Sequence, residues 1–198
     1  MANTYSTDLE KDSSQYWSIT DASQTGLDLT GNFTIEYWCK PETFALGYSA
    51  EPISKQSSST NGYIVQQLTS GVVRFVRANT TAHASTVTAL PLGEWSHVAF
   101  TYDGTDTRCY VNGELRDTQT MSALDDTSAN FQIGVSQQNS TRYYDGLLDD
   151  VRVWSDERTA DEILENMQTE LNGDEANLVG YWKFNADGTD STSNYSRS

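Results

Sequence analysis

Short alternating runs, closed by turns that can only be tight, constrain this chain more than any other feature. Phe33-Thr-Ile-Glu-Tyr-Trp38 alternates and ends near Pro41. Gly93-Glu-Trp-Ser-His-Val-Ala-Phe100 does the same, and a turn at Asp103-Gly104-Thr105-Asp106 joins it to residues 107–111. Asn112-Gly113 follows at once and leads into residues 114–120. An Asn-Gly pair takes the positive φ angles of a two-residue hairpin at little cost. Period-two alternation puts successive side chains on opposite faces of a strand. Further runs at 14–19, 53–56, 63–68, 72–78, 85–89, 131–135, 147–154 and 179–184 read the same way. Many short strands at this spacing predict an all-β fold, a two-sheet antiparallel β-sandwich.

One helix is expected, in the C-terminal half, from Thr159 to about Leu171. Thr159 and Glu162 have capping-box spacing, in which each side chain satisfies the other residue's backbone N–H. Ile163, Met167 and Leu171 recur every four residues and should face the sandwich. The 198 residues read as a single domain, 1–198, with a polar, loose tail near 187–198. Eleven Tyr, five Trp and six Phe supply the core that a 36% hydrophobic composition would otherwise lack. Trp38, Trp95 and Trp182 sit within alternating runs and are expected between the sheets. Cys39 and Cys109 leave two states open, a pair of buried thiols or one disulfide.

Twelve basic residues against 28 acidic ones leave a formal charge of −16. That field repels phosphate backbones and anionic lipid, which argues against nucleic acid and membrane partners. No apolar run is long enough to span a bilayer. Met1-Ala-Asn-Thr-Tyr-Ser lacks the regions of a signal peptide. The expected setting is nonetheless extracellular, at a cell surface or on a virion, reached by a longer parent chain or by lysis. Asn32, Asn79, Asn139 and Asn194 match the glycosylation acceptor pattern.

A sugar site needs a ring to stack on and oriented polar groups beside it. The loop Gln137-Gln-Asn-Ser-Thr-Arg-Tyr-Tyr144 holds that mixture. Gln137, Gln138, Asn139, Arg142 and Tyr143 are the candidate ligand-binding residues, with Tyr143 as the stacking surface and Tyr144 as core. The 44–48 loop and the 57–63 turn could complete the site. Arg74 and Arg77 are expected on a solvated sheet face, the second place a ligand could sit.

The four blocks at 33–38, 93–100, 110–113 and 146–154, the last running on into Thr159-Ala-Asp-Glu-Ile163, together resemble the laminin-G-like, concanavalin A-like jelly rolls, which include the pentraxins. The resemblance extends from about residue 5 to about 184. It implies a lectin-like or adhesion module that recognises carbohydrate or a partner protein surface. A structural component of a virion or large surface protein is the alternative. It also implies a structural calcium ion on Asp149 of Gly146-Leu-Leu-Asp149, with carbonyls from near residues 8–10 and Gly31. The acidic stretch of the pentraxin calcium site is replaced here by the neutral Ser136, Gln137 and Gln138. The pentraxin cysteine pair falls on Glu36 and Ala99. Glucanases of this fold carry Glu-x-Asp-x-Glu on one strand, and no such pattern occurs here. Asp149 and Asp150 are adjacent and should face opposite ways. His97 is expected as a packed, hydrogen-bonded residue. The chain is therefore read as non-catalytic.

Overall fold

The computed structural model describes residues 6–57, 61–77 and 81–185. The expected tail, residues 58–60 of the 57–62 turn, and Asn79 and Asn194 of the acceptor motifs lie outside the described residues. Two antiparallel sheets face each other. The first runs β1 (Thr7–Leu9), β12 (Gly146–Trp154), β3 (Phe33–Pro41), β8 (Ser96–Tyr102), β9 (Asp106–Val111) and β10 (Glu114–Thr120). β13 (Leu178–Trp182) also pairs with β12, beyond the end of β1. The second runs β2 (Trp17–Ile19), β11 (Phe131–Ile133), β4 (Ala50–Lys55), β5 (Tyr63–Gln67), β6 (Val73–Arg77) and β7 (Thr81–Ser85).

Alternation decides what fills the space between the sheets. Phe33, Ile35, Tyr37 and Cys39 of β3 point inward with Val98, Phe100 and Tyr102 of β8. Ile53, Tyr63, Val65, Val73 and Phe75 meet them from the other sheet. Trp182 stacks on Phe131 with ring centroids 5.0 Å apart, tying the sheets together. Cys39 and Cys109 are buried free thiols. β8 separates their strands, so two strand spacings already exceed the roughly 7 Å limit for a disulfide. Glu36 and Ala99 are direct register partners.

The other face of the first sheet is closed by α1 (Ala160–Asn166) and the turns after it. Thr159 caps the helix with both halves of the capping box formed. The helix ends earlier than expected, and Leu171 is buried beyond its end. Arg152 donates to the carbonyls of Asn166 and Thr169, and Trp38 Nε1 donates to that of Met167. These donors satisfy carbonyls that a short helix leaves open. Glu36, His97, Arg152 and Trp154 are buried beneath. His97 Nε2 lies 3.3 Å from Glu36 Oε2, and Trp154 Nε1 donates to Glu36 Oε1. Burial pushes the Glu36 carboxyl up, but His97, Arg152 and Trp154 outweigh it and hold it low.

Several expectations need correcting. Trp95 precedes β8 and is 40% exposed, because the strand starts at Ser96. Trp38 lies under the helix segment instead of between the sheets. β7 occupies 81–85 instead of 85–89. A bulge carries Asp150 at φ +46°, so Leu148 and Val151 both enter the core. The two aspartates between them therefore share the helix-side face instead of opposing each other.

Candidate functional site

The outer face of the six-stranded sheet is where the candidate residues converge. Because Tyr63, Val65, Val73 and Phe75 enter the core, Ile64 and Gln66 of β5 and Arg74 and Val76 of β6 face outward. The segment after β11 turns back over this face. Its start requires Gly134, at φ +97°, where a Cβ would lie 2.8 Å from Leu9 and 3.2 Å from the Gln15 carbonyl. Ser54 Oγ donates to the Val135 carbonyl, Gln138 N–H to that of Gln56, and Tyr144 N–H to that of Gly134. The 135–143 loop is thus laid on β4 and β11, not held out as a free rim.

Glu51 anchors this loop. It sits at a bulge in β4 and is wholly buried. Asn139 Nδ2 donates to its Oε1 at 3.2 Å, and Arg142 Nη1 lies 3.3 Å from the same oxygen. Burial pushes the Glu51 carboxyl up, and bonds from Ser136, Arg142 and Asn139 offset this only in part. Two of the candidate ligand contacts, Asn139 and Arg142, are therefore partly committed inward. Gln137 Oε1 accepts from Asn130 N–H. The Gln138 side chain remains exposed.

Tyr143 meets Tyr16, which sequence reading missed; their ring centroids are 6.2 Å apart at 45°. Tyr16 is 47% exposed. Beside it opens a groove of about 560 Å3 lined by Thr7, Asp8, Ser14, Gln15 and Ser18 among others. Tyr48 is half-buried, and the field of Tyr143 reaches its hydroxyl. Phe44 instead rests against Gly71. Tyr144 is core, as expected.

One cross-strand row links these groups. Tyr16 flanks Gly134, Gly134 N–H donates to the Pro52 carbonyl, the Glu51–Pro52 bulge faces β5 near Gln66, and Gln66 pairs with Arg74. The row crosses four strand spacings, roughly 19 Å. A second row carries Ser18, Gln132, Ser54, Ile64 and Val76. Gln132 Oε1 and Gln56 Oε1 are buried and accept no hydrogen bond. The loop predicted from sequence and the sheet face around Arg74 are parts of one surface. Arg77 is not part of it; it is turned to the Ala123 carbonyl and Asp125.

Of the carbonyls expected to join Asp149 in holding calcium, those near residues 8–10 lie on or just after β1, where Thr7 is the partner of Leu148, while Gly31 is remote. Asp149 is opposite Trp38, and Gly31 lies seven residues before Trp38, roughly 23 Å along the strand. Asp149 Oδ1 accepts the Asp150 N–H. Asp8, Glu10 and Glu42 do gather their carboxylates within 4.8 Å of one another, all exposed.

The concanavalin A-like lectin/glucanases superfamily matches residues 11–164. No curated protein matches the sequence. Among solved structures, the chain is similar to a candidate carbohydrate binding protein from Bacteroides ovatus, with a TM-score of 0.76 and 20% identity. The match covers 97% of this chain and 56% of that one, so the chain spans little more than half that protein's length. It is similar to the CBM40 of a Ruminococcus gnavus IT-sialidase bound to α2,3-sialyllactose, with a TM-score of 0.62, 16% identity, and coverage of 82% and 96%. A heptameric SAP-like pentraxin from Limulus polyphemus gives a TM-score of 0.50, 18% identity, and coverage of 68% and 69%.

Proposed function

We propose a function from one premise: the chain belongs to the concanavalin A-like lectin/glucanases superfamily. It is a non-catalytic carbohydrate-binding module that works outside the cell, and its ligand lies on the outer face of the six-stranded sheet. The observation that carries this reading is the Tyr16–Tyr143 pair, with Tyr16 exposed and Tyr143 half-buried, at one end of a row of amide and guanidinium groups. Rings supply stacking surface, and planar polar groups supply direction. The carbohydrate-binding names of the Bacteroides and Ruminococcus structures support it.

Glycoside hydrolysis needs two carboxyls across the bond, about 5–9.5 Å apart. The strands of this face carry one acid, Glu51, which is buried under the loop and matched by Arg142.

A glycan array followed by titration calorimetry tests the reading. Tyr16→Ala with Tyr143→Ala should weaken a verified glycan about thirtyfold, taking about 1 kcal/mol per ring. An unchanged affinity at an unchanged melting point would place the ligand elsewhere.

A further inference from the structure

Arginines in this acidic chain are consistently matched by acids. Of the seven among the described residues, Arg77, Arg108, Arg116, Arg142, Arg152 and Arg158 each form an ion pair. Arg74 forms none. Its Nε and Nη2 both donate to Gln66 Oε1, at 2.9 and 2.6 Å. That leaves both Nη1 hydrogens and one on Nη2 without partners. Gln66 is itself buried and sets the plane of the guanidinium. Burial alone lowers the Arg74 pKa, with no nearby acid to offset it.

We propose that Arg74 is the anion-reading end of the ligand surface, and that the ligand is a glycan bearing a carboxylate. This rests on the carbohydrate-binding reading above and names the ligand class within it. A half-buried guanidinium fixed in one plane presents a fork that matches a carboxylate with two parallel hydrogen bonds. Its neighbours on this face, Ile64 and Val76, are apolar and nearly buried, so the guanidinium is the polar group offered there. Tyr16 and Tyr143 stand at the far end, roughly 19 Å away, so an oligosaccharide fits the surface better than a single sugar.

Two opposing charges must be weighed. Glu51 lies on the same row, but it is buried under the loop and paired with Arg142. The net charge of −16 repels any anion at long range. Ions screen that repulsion beyond about 8 Å at physiological salt, while the contact at Arg74 is direct.

Binding of trigalacturonate and of sialyllactose should be compared with the neutral galactotriose and lactose, by calorimetry. These arms separate a uronic acid from a sialic acid as the carboxylate source. The parent should bind at least one acidic glycan about tenfold more tightly than its neutral counterpart, the loss expected for one charge-assisted contact. Arg74→Gln should abolish that preference. Gln66→Glu, which supplies an internal acid to Arg74 without removing it, should do the same. Equal affinity for acidic and neutral sugars in the parent would overturn the inference and leave the carbohydrate reading standing. So would a preference that survives both substitutions. Failure to bind any sugar on a broad array would overturn both.

Discussion

Single side chains here differ in consequence according to what surrounds them. Trp182 is buried and stacked on Phe131, whereas Trp95 is 40% exposed. Trp182→Ala should cost about 3–5 kcal/mol, and Trp95→Ala less than about 1, as read from urea midpoints. Lys55 is a second case. Its ammonium is fully buried and reaches Asp21 Oδ1, Asp28 Oδ1 and the Thr127 carbonyl at 2.7–2.8 Å. The Lys55 hydrogen bond holds Asp21 low. Burial pushes Asp28 up, but bonds from Lys55 and Gln24 outweigh it. Lys55→Met should cost about 2 kcal/mol, below the usual value for a broken buried pair, because the side chains of Asp21 and Asp28 keep 35% and 29% of their surface. Depressed carboxyls contribute stability above their unfolded pKa of about 4 and lose it as pH falls through the folded value. Melting points of the parent should therefore fall below about pH 4, and less steeply in Lys55→Met. An identical pH profile in the two proteins would count against the pairing.

At the scale of one element, the 135–143 loop is held by Glu51 as well as by its own backbone bonds. Asn139 and Arg142 both reach that buried oxygen. Glu51→Gln keeps the shape but removes the charge that holds Arg142. Amide exchange at 137–143 should quicken, while exchange in β5 and β6 stays as in the parent. Burial raises the Glu51 carboxyl, so its charge is lost at a higher pH than that of an ordinary glutamate. Glycan affinity should therefore fall as pH drops from neutrality towards the ordinary glutamate range, and Glu51→Gln should flatten that dependence. The loop's composition was readable in the sequence as a sugar-contacting mixture. Its anchor was not, because Glu51 is 91 residues from Arg142 and no local pattern marks it.

For the whole molecule, the thiols report on cooperativity. Cys39 and Cys109 are both buried, and burial pushes both thiols well above their ordinary range. A thiol reagent should modify neither in the native protein and both after denaturation. Reaction of one alone would mean that one side of the sandwich opens by itself.

By itself the sequence determined most of the strands, though not β1 or the place of β7, where the helix begins and what class of sandwich results. Those features are local: period-two alternation, Asn-Gly turns and the Thr159–Glu162 box act over a few residues. Only the tertiary structure decided which outward side chains become a surface. Strand order placed Tyr16 beside Tyr143, set Gln66 against Arg74, and left Arg74 without an acid. It also separated Asp149 from Gly31 by most of a strand's length. Alternation tells a side chain which face it is on, but its neighbours there come from strands distant in sequence. Their register is set by the summed packing of the core, not by any one segment.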